Sequence, residues 1–175
     1  MPTTDLLVIG TGVAGSAAAL KAADLGMDVT LITNASKPEK GTNTSWAQGG
    51  IIYTSPADSA ELLIQDINRA GADICDPGVV RLLAERGPDL VRELLIERCG
   101  VEFDRNENGS LDLTEEGAHS VPRIVHVGDH TGNAIAAGLG REVLKHPRIK
   151  FVSNATAVDL ILRGLHTRNP LDIYQ

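Results

Sequence analysis

Residues 5–15, DLLVIGTGVAG, run from a short apolar stretch into three glycines at the spacing G-x-G-x-x-G. A continuous apolar run that ends in glycine is typical of a buried parallel strand, here residues 5–10. The Ala-rich residues 14–25 predict a helix that ends at Gly26, because glycine readily adopts the positive φ of a helix C-terminus. Residues 28–33, DVTLIT, predict a second strand. Strand, tight turn, helix and strand within about 30 residues indicate a right-handed βαβ unit.

The glycine turn of this unit has the residues that the pyrophosphate of a dinucleotide requires. Gly10 allows the sharp turn, Gly12 has no side chain to keep phosphates from the backbone, and Gly15 lets the helix pack on the strand. The N–H groups and the dipole at the helix start attract phosphate. The predicted pyrophosphate contacts are Gly10, Thr11, Gly12, Val13, Ala14 and Gly15.

The second predicted strand ends without the acidic residue that commonly binds a ribose hydroxyl in NAD enzymes. Thr33 and Asn34 stand there instead, and the Asn34 amide can still hydrogen-bond a ribose. We therefore predict that Asn34 is a cofactor contact. Because the acid is missing, the assignment of NAD is weakened and the choice of dinucleotide stays open at this point.

Composition excludes several classes of function. The formal net charge is −7, which argues against nucleic-acid binding, since that requires clustered positive charge. No apolar stretch is long enough to cross a bilayer, and the first residues lack a signal-peptide pattern. Cys75 and Cys99 have neither metal-site nor redox spacing, so we expect core positions, a cytoplasmic protein and no metal site.

The rest of the chain alternates polar segments with regular ones. Residues 34–53 and 114–132 are polar and predict loops, and a loop as long as the first is usually functional. The predicted helices span residues 57–70, 77–87, 88–100 and 133–144, with Asp129 and Thr131 expected to cap the last. A strand and then a hairpin around Asn108-Gly109 are expected in residues 101–113, and strands in residues 149–152 and 155–162. Such a sheet needs further strands at its edges, so we expect the chain to be the front of a larger protein.

A second motif, NTSWAQGG at residues 43–50, favours FAD. With the glycine turn it resembles the flavoprotein subunits of succinate dehydrogenase and fumarate reductase and, more closely, the L-aspartate oxidases. The resemblance implies that this loop lies along a bound FAD. The implied contacts are Asn43, Thr44, Ser45, Trp46, Ala47, Gln48, Gly49 and Gly50. Asn43 stands where the dehydrogenases and reductases have a histidine bonded to the flavin, so the resemblance implies a non-covalent FAD.

A third segment, LTEEGAHSVPRIVHVGDHTG at residues 113–132, is similar to the pattern T-x-E-G-G-H-S, R-I-x-H and D-x-T-G of the L-aspartate oxidases. Glu116 stands where the dicarboxylate enzymes typically have glutamine, and its carboxylate can accept hydrogen bonds from a substrate ammonium group. We take Glu116 as the candidate catalytic residue, a solvated loop carboxylate being the alternative. Ala118 replaces the second glycine, which is tolerated if its φ is negative. His119 either reaches the active site or packs within its own loop.

The resemblance covers residues 5–161 and implies a fold and an activity. The fold class is α/β, a Rossmann-like FAD-binding βαβ domain with inserted helices, incomplete relative to the family. Residues 1–175 would be the N-terminal part of the FAD-binding domain, without the family's capping and C-terminal helical domains. In residues 154–162, Ala157 or Val158 would contact the adenine ring through its backbone.

The implied reaction is the oxidation of L-aspartate to iminoaspartate, with O2 or fumarate as electron acceptor. The product would pass to quinolinate synthase for NAD synthesis. The isolated chain is expected to be inactive, because the family's substrate-binding arginines lie beyond it. Two alternatives stay open: a fumarate reductase or succinate dehydrogenase flavoprotein, and a non-catalytic dinucleotide-binding module.

Overall fold

The computed structural model describes residues 3–160. Its strands and helices follow in chain order. They are β1 (Leu6–Ile9), α1 (Val13–Asp24), β2 (Val29–Ile32), α2 (Asn43–Trp46), β3 (Ile51–Ile52), α3 (Ala60–Ala70), α4 (Pro77–Leu90) with a π-helical continuation (Val91–Arg98), β4 (Leu113–Thr114), β5 (Ile124–Val125), α5 (Thr131–Lys145) and β6 (Ile149–Val152).

A parallel sheet in the order β1-β2-β6 carries the glycine turn. Leu6 pairs with Val29, and Val29 pairs with Ile149 on the other side. Helices α1 and α5 pack on one face of this sheet, where Leu20, Leu31 and Leu139 are buried. The predicted βαβ unit is thus confirmed, and α1 ends before Gly26, whose φ is +92°.

The opposite face of the parallel sheet is uncovered within residues 3–160. Leu7 and Ile9 are 46% and 56% exposed. The prediction of a fully buried first strand is therefore wrong for these residues, because β1 has α1 on one side only and pairs with β2 alone.

A second, antiparallel sheet in the order β3-β5-β4 lies in the segments predicted as loops. Val125 pairs with Ile51 on one side and with Leu113 on the other. The expectation that residues 34–53 and 114–132 are irregular is thus partly wrong. Each of these strands has two residues, which is too short for an alternation of apolar and polar residues to be visible in the sequence.

The predicted break between two helices at Gly87-Pro88 is wrong. Helix α4 runs through both residues and continues as a π-helix. Proline lacks the N–H that an interior position uses, but packing of Val80, Ala84, Val91 and Leu95 into the interior holds the segment helical. Helix α3 begins after Ser59, whose hydroxyl accepts from the N–H of Leu62, and so starts later than predicted.

The hairpin predicted around Asn108-Gly109 is partly confirmed, because Arg105 and Leu111 form an antiparallel bridge and the N–H of Gly109 donates to the carbonyl of Asn106 at 2.9 Å across the turn. The strand predicted before it is wrong, since residues 101–104 have no regular structure. Residues 155–160 form no strand, and residues 161–162 of that predicted strand lie outside the described range.

The core joins the helices to both sheets. Val91, Leu95 and Phe103 pack with the residues between the parallel sheet and α5. Cys99 is buried in this core as predicted, whereas Cys75 is half-buried. Burial raises the pKa of the Cys99 thiol to about 11. Within residues 3–160, no helix has the length and apolar character that crossing a membrane requires.

Candidate functional site

The glycine turn lies between β1 and α1, and its backbone tolerates no larger residue at two positions. Gly10 has a φ of +100°, a region that favours glycine. A Cβ on Gly15 would overlap the carbonyl oxygen of Gly10, so only glycine allows the helix to start this close to the strand. The turn therefore has the geometry that the sequence motif predicts.

The first turn of α1 leaves backbone donors free. Gly12 is the N-cap and supplies no capping side chain, and the first turn holds no acidic residue. The N–H of Val13 donates to the hydroxyl of Thr44 at 3.0 Å. The N–H groups of Ala14 and Gly15 have no acceptor among residues 3–160. A helix start with unpaired donors and no negative side chain suits a phosphate group.

Thr11 offers a further polar atom in the glycine turn. Its side chain is buried, and its hydroxyl has no hydrogen-bond partner in the described structure. Its backbone carbonyl accepts from the buried hydroxyl of Ser16 at 3.0 Å. The glycine turn, its free donors and this unpaired hydroxyl together fit the pyrophosphate of a dinucleotide.

The NTSWAQGG motif is held against the glycine turn by α2. The hydroxyl of Thr42 caps this short helix by accepting from the N–H of Ser45 at 3.0 Å. On the other side, the N–H of Gly132 donates to the carbonyl of Ala47 at 3.0 Å. A Cβ on Gly132 would overlap the carbonyl of Thr44, so α5 approaches α2 as closely as glycine permits.

Several side chains of the motif face solvent in the described structure. The exposed residues are Asn43, Trp46, Ala47, Gln48 and Gly49, with Trp46 78% exposed. Exposed apolar and amide groups beside unpaired helix donors form a surface that a large planar ligand can cover.

Glu116 lies at the end of this motif. Its Oε1 accepts from the N–H of Gly50 at 3.2 Å, and a Cβ on Gly49 would lie 3.6 Å from the same oxygen. Besides the Gly132–Ala47 hydrogen bond, the third motif thus reaches the second one through an exposed carboxylate. Its other oxygen, Oε2, has no partner among residues 3–160, so it can accept a hydrogen bond from a ligand.

Behind this loop, Arg123 is completely buried between two carboxylates. Its Nε and Nη2 donate to both oxygens of Asp58 at 2.9 and 2.7 Å, and its Nη1 donates to Asp66 Oδ2 at 2.6 Å. Ser120 donates to the same oxygen through its N–H and its hydroxyl, at 2.9 and 2.8 Å. We call these four residues the Arg123 cluster.

The Arg123 cluster fixes the charge of Asp66. Burial alone raises the pKa of Asp66, but hydrogen bonds from Arg123 and Ser120 and the charge of Arg123 outweigh it and lower that pKa to about 2. For Arg123, burial lowers the pKa, and its bonds to Asp58 and Asp66 more than offset this and raise the pKa above its ordinary value. Asp66 and Arg123 are therefore both charged over the ordinary pH range.

His119 packs within its own loop. Its Nδ1 lies 2.8 Å from Nη1 of Arg123, and because a guanidinium only donates, this nitrogen accepts and the ring proton is on Nε2. His126 bonds Asp104 at 3.0 Å through Nδ1. In residues 3–160, no group of three His, Cys, Asp or Glu side chains could hold a metal ion.

The structure brings together most of the predicted site residues but not all. The glycine turn, α2 and Glu116 form one continuous region. Asn34 is exposed at the end of β2 and hydrogen-bonds nothing in the described part of the chain. Ala157 is exposed in a segment that is not a strand.

Two expectations about the third motif are wrong. Ala118 has a φ of +70°, whereas alanine replaces the family's glycine without strain only if φ is negative. Asp129 and Thr131 do not cap α5, because His130 is the N-cap and provides no capping side chain. The Thr131 hydroxyl instead accepts from the N–H of Val127 at 2.9 Å and holds the turn before the helix.

Sequence reasoning missed Asp58, Asp66 and the close approach of Gly132. Asp66 did leave a signal, since it follows the buried Leu63 by three residues and so lies on the apolar stripe of α3. A carboxylate on such a stripe needs a buried partner. The sequence could not say that this partner is Arg123.

Comparison with known proteins places these features in a family. Residues 5–168 match the family model described as FAD binding domain. The chain is 43% identical over 158 residues to L-aspartate oxidase 2-b, chloroplastic, of Nicotiana tabacum, covering 90% of this chain and 24% of that protein. It is 40% identical to L-aspartate oxidase of Halobacterium salinarum, covering 91% of this chain and 30% of that protein.

A solved structure shares the fold. The Mycobacterium smegmatis Sdh1 complex in the apo form superposes with a TM-score of 0.80 at 29% identity, over 86% of this chain and 27% of that one. The chain thus spans about a quarter to a third of the length of the relatives that it matches.

Proposed function

The chain belongs to the FAD binding domain family, and on that premise we propose that the protein carrying it is a flavin-dependent oxidase of L-aspartate. FAD is the cofactor of this family, and the free donors of α1 suit its pyrophosphate. When bound, FAD would supply the hydride acceptor for the α-carbon of aspartate, whose ammonium group also loses a proton as iminoaspartate forms. The acceptor that reoxidises the flavin is proposed to be O2 or fumarate.

The proposed cofactor contacts are the residues of the glycine turn, of α2 and of the loop that follows it. Thr44 supports this assignment. Its hydroxyl accepts a hydrogen bond from the N–H of Val13 at the start of α1, and it lies 3.3 Å from the position that a Cβ on Gly12 would take. Asn43 has an amide, which forms no covalent bond to flavin, so we propose that FAD is bound non-covalently. Asn34 and Ala157 stay proposed contacts of the ribose and the adenine.

The proposal of aspartate as substrate depends on the position of Glu116. Its carboxylate accepts a hydrogen bond from the N–H of Gly50, beside the surface proposed for the flavin. The second carboxylate oxygen has no hydrogen-bond partner in residues 3–160. A negative group there would accept hydrogen bonds from the ammonium group of aspartate, which succinate lacks. The names of the relatives, L-aspartate oxidases at about 40% identity, support the same substrate.

Some parts of the proposal reach beyond this chain. We propose that residues 1–175 are the N-terminal part of the FAD-binding domain, which the short span relative to the relatives supports. We also propose that the product passes to quinolinate synthase, because an imine is unstable in water. A cytoplasmic location stays a prediction from the two unpaired cysteines, while the plant relatives are named chloroplastic.

The test compares two substrates of the full-length protein with FAD bound. Under anaerobic conditions we expect L-aspartate to bleach the flavin absorbance faster than succinate does. Glu116→Gln should slow the reaction with aspartate at least about tenfold, the factor that loss of a charged hydrogen bond accounts for. Glu115→Gln, a change of the neighbouring exposed carboxylate, is the matched control and should have no effect.

Three outcomes would overturn the assignment. Faster bleaching by succinate would favour a dicarboxylate dehydrogenase or reductase. Bound flavin that neither substrate reduces would favour a non-catalytic module. An equal loss in Glu115→Gln and Glu116→Gln would remove the special role of Glu116.

A further inference from the structure

The loop that carries Glu116 is closed at its base and anchored on one side only. The N–H of Arg123 donates to the carbonyl of Thr114 at 3.2 Å, which joins the two ends of the loop. Between them, Glu116 makes the single contact with Gly50 described above. The exposed half of the loop, residues 115–117, therefore depends on the other half for its position.

The other half of the loop is held by polar contacts to α3 and to the segment before it. Ser120 donates twice to Asp66, and Arg69 donates to Asp66 Oδ1 at 2.7 Å and to the carbonyl of Ala118 at 3.2 Å. Arg123 bonds Asp58, Asp66 and the His119 ring. These bonds converge on a guanidinium and a carboxylate that are almost completely buried.

Resting on the proposed function, we infer that the Arg123 cluster, with Arg69, positions Glu116 for the substrate ammonium group. Within residues 3–160, Arg123 and Asp66 form no hydrogen bond to the glycine turn or to α2, so they act on the ligand through the loop. The N–H of His119 donates to the carbonyl of Glu116 at 3.2 Å, which connects the anchored half to the residue that is positioned.

The chemistry of the cluster suits this role better than an apolar anchor would. A bidentate guanidinium–carboxylate pair fixes both distance and orientation, whereas apolar side chains of similar volume allow several arrangements. Four of the five Arg123 N–H groups donate hydrogen bonds. Their three partners, which lie at separate points of the sequence, are Asp58, Asp66 and His119.

The test uses the Gly50 amide as a reporter in the full-length, FAD-bound protein. Hydrogen exchange at Gly50 reports whether Glu116 is in place, and Glu116→Ala gives the exchange rate without the acceptor. The variants are Arg123→Lys, Ser120→Ala and Arg69→Gln. Because Arg69 is exposed, Arg69→Gln keeps the test open if Arg123→Lys does not fold.

We expect Ser120→Ala and Arg69→Gln to speed Gly50 exchange about fivefold and to raise KM for L-aspartate by a similar factor, with kcat unchanged. Ser120→Thr keeps the hydroxyl and should restore both values. Arg81→Gln removes an exposed ion pair of α4 and is the matched control.

The inference fails if the variants lower the melting temperature but leave exchange at Gly50 at the wild-type rate, since the cluster would then be scaffold alone. It fails also if kcat falls while KM is unchanged. If the wild-type protein does not oxidise aspartate, the proposed function fails, and the exchange rate at Gly50 alone decides whether the cluster positions Glu116.

Discussion

At the scale of single residues, the Glu116 loop contains a strained backbone position. Ala118 adopts a φ of +70°, which costs a residue with a Cβ about 1–2 kcal/mol. Its carbonyl accepts from Arg69, and this contact holds the residue in place.

Ala118→Gly should therefore stabilise the protein by about 0.5–1 kcal/mol, since the gain exceeds the extra freedom of glycine in the unfolded chain. The midpoint of urea unfolding measures this. Ala18→Gly, at an exposed position inside α1, is the matched control and should destabilise by about 1 kcal/mol. A loss of stability in Ala118→Gly would contradict the assigned conformation.

Asp66 gives the protein a pH dependence with a defined sign. Its pKa falls from an ordinary 3.8 to about 2 in the folded state. A lowered carboxyl pKa adds stability above the ordinary value, and this contribution disappears as the pH falls from about 4 to about 2.

In Asp66→Asn, the free energy of unfolding should no longer show the decrease between about pH 4 and pH 2 that Asp66 causes. The variant should also be less stable at pH 7 by about 1–3 kcal/mol, because Arg123 and Ser120 lose a charged acceptor. Unfolding free energies measured across the acid range test this. Parallel profiles for the wild type and the variant would show that Asp66 does not titrate in this way.

At the scale of elements, local signals predicted the fold where they agreed with packing. The glycine turn, α1, β2 and β6 follow directly from apolar runs and glycine positions, because each signal is short-range. Gly87-Pro88 is the counterexample, since two helix-breaking residues lie inside one helix. The outcome there depends on Val80, Ala84, Val91 and Leu95, whose burial no local pattern reveals.

Part of the candidate site could likewise be predicted from local signals in the sequence, and part could not. Its backbone cradle could be predicted, because Gly10, Gly12 and Gly15 are needed for steric reasons that the spacing itself expresses. The link from Arg123 to Asp58 spans 65 residues and depends on tertiary structure. Nothing in the spacing of these two residues predicts that they meet.

Gly87 offers a test of the uninterrupted helix. Beyond its chain neighbours, a Cβ at this position would meet no atom within 4 Å, but the ring of Pro88 would crowd it, so Gly87→Ala should stabilise the protein by only about 0.5 kcal/mol. Gly138→Ala, inside α5, is the matched control. There a Cβ would lie 3.1 Å from Cys99 Cβ, so the gain in helix propensity should be lost. Thermal unfolding of both variants measures the difference, and a destabilising Gly87→Ala would indicate a helix break.

At the scale of the whole molecule, the parallel sheet is covered by helices on one face only within residues 3–160. Parallel sheets are nearly always covered on both faces. The exposed Leu7 and Ile9 form an apolar surface that water solvates poorly.

Expressed alone, the 175-residue chain should self-associate through this face and bind a hydrophobic dye. Leu7→Thr with Ile9→Thr should reduce both effects, as measured by light scattering and dye fluorescence. Leu25→Gln alters a single exposed side chain at the end of α1 and serves as the control. Unchanged association of the double variant would place the contact elsewhere.

The close approach of α5 to α2 has a consequence for genetics. Gly132 is far from the glycine turn in the sequence. A Gly132→Ala allele would nevertheless add a methyl group against Thr44 and push the NTSWAQGG loop away from the place proposed for FAD. Because ligand excess compensates for weakened binding by mass action, this allele should behave conditionally. Cells that depend on the protein would grow poorly at ordinary riboflavin levels and recover when riboflavin is supplied in excess.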